Sequence, residues 1–142
     1  MRGDTMTARR HATFRFDLRV YWEDTDAAGI VFYANYLKFF ERARSEWLRS
    51  LGFAQEALRT EAGIAFVVSE TAVRYRRPAR LDDVLGVTVD VVHLGQASLE
   101  IAQAAWRADE LLADGTIRIG CVELGTFRPC RIPNDIRHSL HP

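Results

Sequence analysis

The first patterned stretch of the chain alternates apolar and charged side chains with a period of two. Its apolar positions are Phe14, Phe16, Leu18 and Val20, and charged residues stand between them. This period places successive side chains on opposite faces of a strand. The stretch therefore predicts a half-buried β-strand.

The next periodic segment has helical spacing. Apolar residues recur at intervals of four, three, four and four, at Tyr36, Phe40, Ala43, Trp47 and Leu51. This spacing gives one apolar face on an α-helix, and Phe39 and Leu48 widen that face. Gly52 follows, and glycine commonly ends a helix. We therefore expect a long, well-buried helix that ends at Gly52.

Strand patterns dominate the rest of the chain. We expect a short helix and a loop over residues 53–63, then strands over residues 65–76, 85–91, 98–107 and 112–126. The alternation in the first of these strands assigns its residues to two faces. Val67, Val73 and Tyr75 share one face, and Phe66, Val68 and Ala72 share the other. Before the last strand, either Asp109-Glu110 or Asp114-Gly115 can form the turn.

One apolar helix accompanied by several antiparallel strands predicts an α+β, two-layer fold. The length of 142 residues suits one domain. We expect that domain at residues 14–142, and a short flexible leader at residues 1–13.

Composition narrows the possible functions. The formal net charge is zero, which does not favour binding to nucleic acid, and no apolar run is long enough for membrane insertion. The two cysteines, Cys121 and Cys130, lack metal-ligand spacing, and a domain of this size needs no disulfide. We therefore predict reduced thiols, a cytoplasmic location, and neither a metal nor a cofactor.

The stretch from Tyr21 to Tyr36 holds the main candidate chemistry. It places Asp26 and Gly29 shortly before the predicted start of the long helix. Aspartate is ordinarily ionised at neutral pH, and the free N–H groups at a helix N-terminus can polarise a carbonyl. Aspartate beside small residues is also common in turns, so the loop alone leaves open whether Asp26 caps a turn or reacts. We assign its neighbour Asp24 a structural role in the loop.

Two blocks of sequence resemble the hotdog-fold acyl-CoA thioesterases. The first is Tyr21-x-x-Asp24-Thr25-Asp26-x-x-Gly29-x-Val31, continuing through Tyr33-x-Asn35-Tyr36 and Phe40-Glu41-Arg42-Ala43-Arg44. The second is Ala65-Phe66-Val67-Val68, followed by Tyr75-x-x-Pro78-Ala79-Arg80-Leu81-Asp82-Asp83. The resemblance runs from about Phe14 through the last strand. It is greatest to the branch that holds hydroxybenzoyl-CoA thioesterase and the thioesterase associated with the Tol–Pal system.

The resemblance implies a long central helix wrapped by a mainly antiparallel sheet, and a homodimer or homotetramer with active sites between subunits. It also implies that Asp26 is the catalytic carboxylate, either as a nucleophile or as a base that activates water. The backbone N–H of Tyr33 would contact the thioester carbonyl, and Gly29 would let the substrate approach closely. Relatives in the Tol–Pal-associated branch often carry His where this chain has Tyr33, and Tyr where it has Trp22. These departures bear on substrate preference.

Substrate-binding roles are expected for Trp22, for Asn35 at the predicted helix start, and for arginines near Pro78. Arg76, Arg77 and Arg80 could bind the phosphates of coenzyme A, because guanidinium groups suit phosphate. A solvated strand end explains the same arginines equally well.

Two functions from different classes follow. The first is hydrolysis of acyl-CoA with a short-chain, hydroxylated or aromatic acyl group, with acyl carrier protein as another conceivable carrier. The second is a non-catalytic module that binds acyl thioesters, since hotdog domains are reused in this way. A hotdog dehydratase would need a histidine in the motif, and the motif has none.

Overall fold

The computed structural model of the protein describes residues 13–141. Strand β1 spans Phe14–Arg19, and a 3-10 turn spans Trp22–Asp24. The long helix α1 spans Asn35–Ser50, the short helix α2 spans Gln55–Ala57, and a π-helical turn covers Leu58–Ala62. Four strands follow: β2 Ile64–Tyr75, β3 Val84–Leu94, β4 Ser98–Arg107 and β5 Glu110–Glu123. Helix α3, Asn134–Leu140, ends the described chain.

The five strands form one antiparallel sheet in the order β1-β3-β4-β5-β2. Helix α1 packs on one face of this sheet, with Phe39, Phe40 and Ala43 fully buried. The opposing strands contribute alternating apolar side chains, such as Leu99 and Ile101 of β4. The predicted α+β architecture and the predicted long helix are therefore confirmed.

The predicted face assignment along β2 is wrong, because the strand carries a β-bulge. Val68 pairs with Ile119, Glu70 pairs with Arg118, and the register shifts between the two pairs. An extra residue reverses the alternation beyond the bulge. Phe66 and Val68 consequently share the helix-facing side with Val73 and Tyr75.

The turn before β5 lies at Ala108 and Asp109, so the first of the two predicted positions is close to the structure. Ala108 has a φ of 54°. Asp114-Gly115 lies inside β5, where Gly115 pairs with Val73. A Cβ atom on Gly115 would lie 2.2 Å from the carbonyl oxygen of Ala72, so the glycine permits close approach of β2.

The C-terminal region differs from the prediction. Strand β5 ends at Glu123 rather than at residue 126, and the chain turns back so that Val122 and Pro129 form a bridge. Cys121 and Cys130 are thereby brought together as free thiols with 3.6 Å between their sulfur atoms. Helix α3 was not predicted, and it buries Ile136 and Leu140.

Residues 1–12 of the predicted leader lie outside the described part of the chain. The remaining leader residue, Thr13, donates a hydrogen bond from its hydroxyl to the carboxylate of Asp90 at 2.8 Å. No helix within residues 13–141 is both long and apolar enough to cross a bilayer.

Candidate active site

A buried aspartate organises the loop between β1 and α1. The Oδ2 atom of Asp24 accepts the backbone N–H of Tyr21 at 2.8 Å. Its carbonyl oxygen accepts the N–H of Phe32 at 3.0 Å and the side-chain amide of Asn35 at 2.9 Å. Asp24 is 5 % exposed, so this buried residue joins the start of the loop through its carboxylate and the end of the loop through its carbonyl, in agreement with the structural role expected for it.

Asp26 lies at the solvent-exposed tip of this loop. Its backbone N–H donates to the carbonyl of Ile30 at 2.9 Å, and its Oδ1 atom accepts the N–H of Ala28 at 2.9 Å. Oδ2 accepts no hydrogen bond from any of the described residues. The side chain therefore caps the turn with one oxygen and presents the other to solvent, so the two interpretations of the sequence are compatible.

Gly29 closes the turn with a left-handed backbone, φ 80°. Its N–H donates to the carbonyl of Asp26 at 2.9 Å. No other atom lies within 4 Å of the position that a Cβ would occupy. The positive φ, rather than crowding within the chain, is what favours glycine here.

Two backbone amides are unpaired where α1 begins. The carbonyl of Phe32 accepts the N–H of Asn35 at 2.8 Å, and the carbonyl of Tyr33 accepts the N–H of Tyr36 at 3.4 Å. Neither the N–H of Tyr33 nor that of Ala34 donates to an acceptor within residues 13–141. The first N–H groups of a helix carry partial positive charge. This end of α1 can therefore bind a carbonyl oxygen that develops negative charge.

A cavity of about 240 Å³ lies beside these amides. Its lining is mostly aromatic and aliphatic: Ile30, Val31, Tyr33, Tyr36, Tyr75, Arg76, Arg77 and Pro78. The rings of Tyr33 and Tyr36 meet the ring of Tyr75 edge to face, with centroids 6.0 Å and 5.4 Å away. Burial raises the pKa of Tyr36 above its usual value, so this ring is neutral at physiological pH.

The predicted phosphate-binding arginines differ in their partners. Arg76 pairs with Asp114 at 2.5 Å, and Arg77 pairs with Glu110 at 3.3 Å. The side chain of Arg80 forms no ion pair with the described residues. Its backbone forms an antiparallel bridge with Ile30, which places Arg80 next to the Asp26 loop.

The other predicted binding residues, Trp22 and Asn35, lie in the 3-10 turn and at the start of α1. Trp22 is 80 % exposed and is free to stack on a flat ligand. The side-chain amide of Asn35 donates a hydrogen bond to the carbonyl of Asp24, so this side chain connects the start of α1 to the loop.

Sequence reasoning missed two features of the site. The hydroxyl of Tyr75 donates to the carbonyl of Tyr33 at 3.0 Å, a contact between residues 42 positions apart. The N–H of Ala34 is a second unpaired amide. A backbone N–H carries no sequence signal, and Tyr75 stood out only within the Tyr75-x-x-Pro78 block.

Another cavity, of about 200 Å³, lies between α1 and the sheet. Its lining includes Trp47, Leu48, Phe66 and Leu140 but no residue of the Asp26 loop. No group of three or more His, Cys, Asp or Glu side chains within residues 13–141 could hold a metal ion.

Comparisons with known proteins identify the family of the chain. Residues 20–140 match the thioesterase-like superfamily. An acyl-CoA thioesterase YbgC from Haemophilus influenzae is 42 % identical over 128 residues, which cover 90 % of this chain and 94 % of the relative. An acyl-CoA thioester hydrolase YbgC from Escherichia coli O157:H7 is 41 % identical over 124 residues, covering 87 % and 92 %.

The structural comparison gives the same result. A probable thioesterase from Bartonella henselae superposes with a TM-score of 0.83 at 34 % identity, covering 86 % of this chain and all of the other. The predicted hotdog fold and the predicted family are confirmed.

Proposed function

The chain belongs to the thioesterase-like superfamily of hotdog-fold acyl-CoA thioester hydrolases, and from that premise we propose that Asp26 is its catalytic carboxylate. One observation carries this proposal. A single loop presents an unbonded carboxylate oxygen on Asp26 and ends at the two unpaired amides of Tyr33 and Ala34. Acyl transfer needs both parts, a group that attacks or takes a proton and donors for the oxyanion.

The reaction can take two routes through the same atoms. In the first, Oδ2 of Asp26 attacks the thioester carbonyl, the C–S bond breaks, and coenzyme A leaves as thiolate. Water then hydrolyses the mixed anhydride and restores the carboxylate. In the second, Asp26 takes a proton from water as that water attacks the carbonyl. The C–S bond then breaks, and coenzyme A leaves as a thiol with the proton that Asp26 returns. The amides of Tyr33 and Ala34 stabilise the oxyanion in both routes, and one such donor is typically worth about 10²–10³ in rate.

The cavity beside Tyr33 supports a short or aromatic acyl group as substrate. Its edge-to-face tyrosines offer the packing that aromatic rings prefer. Two similar proteins point the same way. A 1,4-dihydroxy-2-naphthoyl-CoA hydrolase from Nostoc punctiforme is 26 % identical, and a gentisyl-coenzyme A thioesterase structure is 28 % identical with a TM-score of 0.82.

The nucleotide end of coenzyme A would contact Arg80 and Trp22. The side chain of Arg80 forms no ion pair with the described residues and can bind a phosphate, whereas Arg76 and Arg77 pair with Asp114 and Glu110. Trp22 offers an exposed ring for the adenine. Acyl carrier protein remains a second carrier to be tested.

The enzyme would act in the cytoplasm as a homodimer or homotetramer. Strand β2 is an edge of the sheet, and Val67, Val68 and Tyr75 along it are 37 %, 47 % and 46 % exposed. An exposed apolar edge strand favours pairing with another strand, which a second copy would supply.

A thiol-release assay tests the proposal. The panel runs from acetyl-CoA through medium chains to benzoyl-CoA and hydroxybenzoyl-CoA, with Asp26→Asn as the variant. Asp17→Asn, which changes an exposed carboxylate on β1, is the matched control. We expect the loss of Asp26 to cut kcat by at least about 10³-fold, a range typical of lost nucleophiles and bases, and the control to be fully active.

Two other outcomes have distinct meanings. Near-native activity of Asp26→Asn would refute the role of Asp26. Tight binding of acyl-CoA without turnover by the unmodified protein would instead indicate a non-catalytic binding module. A single turnover in ¹⁸O-labelled water tests for the nucleophilic route, because water that attacks the aspartyl carbon of the anhydride leaves the label on Asp26. The general-base route places the label only in the product acid.

A further inference from the structure

Tyr75 contacts the peptide group that carries one of the two unpaired amides. Its hydroxyl donates to the carbonyl oxygen of Tyr33 at 3.0 Å. That carbonyl belongs to the same planar peptide group as the N–H of Ala34. In a trans peptide the C=O and N–H bonds point in opposite directions and move together. A hydrogen bond that holds the oxygen therefore also sets the direction of the N–H.

The neighbouring peptide is held differently. The carbonyl of Phe32 shares a peptide group with the N–H of Tyr33, and it accepts the N–H of Asn35 at 2.8 Å. This bond joins Phe32 to the first residue of α1, so the start of that helix orients the Tyr33 amide. The carbonyl of Tyr33 has only the longer bond from Tyr36, at 3.4 Å, from the same helix. The Tyr75 hydroxyl is its shorter contact.

Tyr75 is itself firmly placed. It is the last residue of β2 and pairs with Ala113 of β5. The N–H groups of Arg76 and Arg77, which follow, both donate to the carbonyl of Leu112, at 2.8 Å and 3.1 Å. The Tyr75 ring also meets the rings of Tyr33 and Tyr36 edge to face. The hydroxyl is thus held by the sheet, whereas the peptide it contacts belongs to the loop.

We propose that Tyr75 is a positioning residue, whose hydroxyl fixes the Tyr33–Ala34 peptide so that the Ala34 amide is directed at the oxyanion of the substrate. This inference rests on the proposed function, in which that amide stabilises the developing charge. Preorganised donors are effective because they need no reorientation as the charge forms. Partial burial and the nearby Tyr33 raise the pKa of Tyr75, so the hydroxyl keeps its proton at physiological pH.

Tyr75→Phe isolates the hydroxyl, because the ring and its packing are kept. We expect kcat for acyl-CoA to fall roughly three- to tenfold, the net effect of one hydrogen bond, with KM changed less than twofold. Tyr75→Ala, which also removes the ring, should lose at least as much. Thr126→Val is the matched control. It removes an exposed hydroxyl donor from the turn that follows β5. This turn lies at the far end of β5 from Ala113, the partner of Tyr75, so the variant should leave kcat unchanged.

Backbone amide resonances test the same inference without catalysis. In ¹⁵N–¹H spectra, Tyr75→Phe should shift the Ala34 amide more than amides remote from Tyr75, and Thr126→Val should leave Ala34 in place. An unmoved Ala34 resonance, or a fully active Tyr75→Phe beside a weakened Tyr75→Ala, would overturn the inference. Failure of the proposed function would appear separately, as an active Asp26→Asn variant, and the amide shift would still report on Tyr75.

Discussion

Gln103 joins the long helix to the centre of the sheet, and its replacement should destabilise the fold. It is 2 % exposed. Its Nε2 atom donates to the carbonyl of Phe40 at 3.1 Å, and its Oε1 atom accepts from Nη1 of Arg44 at 3.0 Å. Arg44 forms no ion pair within residues 13–141, and burial lowers the pKa of its guanidinium. Gln103 is therefore a principal partner of a partly desolvated cation.

The cost of Gln103→Leu follows mainly from these two bonds, since a third, from Nε2 to the carbonyl of Thr88, is long at 3.4 Å. A hydrogen bond to a charged group is worth about 1.5–3 kcal/mol, and a neutral one about 0.5–1.5 kcal/mol. Leucine fills a similar volume, so no large cavity adds to the loss. We expect the free energy of unfolding to fall by about 2–4 kcal/mol, a large part of the roughly 5–15 kcal/mol typical of a domain.

Urea denaturation followed by tryptophan fluorescence measures this change, at one fixed protein concentration because an oligomer gains stability with concentration. Gln55→Leu is the matched control, since its amide bonds the hydroxyl of Ser45 in an exposed position. It should change the stability by less than about 0.5 kcal/mol.

A double variant tests the physical reason. Arg44→Met should recover part of the loss in the Gln103→Leu background, because it removes the unpaired cation. A loss below about 0.5 kcal/mol for Gln103→Leu, or strictly additive losses in the double variant, would refute the reasoning.

Three further changes have defined outcomes. Burial beside Cys130 raises the pKa of Cys121 to about 12, whereas an unfolded thiol ionises at about 8.5. The unfolded state therefore loses this proton first, so stability should fall above pH 8.5 by up to roughly 1.4 kcal/mol per pH unit. Cys121→Ala should flatten that slope in urea titrations, and an unchanged slope would contradict the assignment. Gly115→Ala should lower the free energy of unfolding by about 1–3 kcal/mol, because the added methyl group would clash with the backbone of β2 at Ala72. A fully stable variant would show that β2 can shift away from the methyl group without cost. Arg107 bonds Asp83 and Glu110, each at 2.7 Å. Arg107→Lys cannot reproduce this fork and should cost about 1–2 kcal/mol by denaturant titration, whereas equal stability would mean that a point charge suffices.

The secondary structure was largely predictable, because in a long segment the spacing of the apolar residues distinguishes a helix from a strand and shows which face is buried. The apolar spacing of the helix placed its end near Gly52, and α1 ends at Ser50. The alternation around Phe16 likewise predicted β1. Helix α3 escaped prediction because it is only seven residues long, and so short a segment has little periodicity.

The candidate site was predictable only in part. Asp26 and Gly29 are visible in sequence as residue types that carry charge or turn a chain. The catalytic roles predicted for Asp26 and Tyr33 came from the resemblance, and they stay predictions. The sequence did not show which carboxylates form ion pairs with the arginines near Pro78. Arg76 meets Asp114 through the pairing of β2 with β5, and no local pattern reports which carboxylate lies across a sheet.

The sequence by itself determined the order of the helix and strands and the family. These depend on side-chain type and local spacing, which are written in the chain. The tertiary structure alone decided which face β2 presents after its bulge, which carboxylates pair with Arg76 and Arg77, and that Tyr75 contacts the backbone of Tyr33. Each of these depends on register and on contacts between distant segments, where one inserted residue reverses a face.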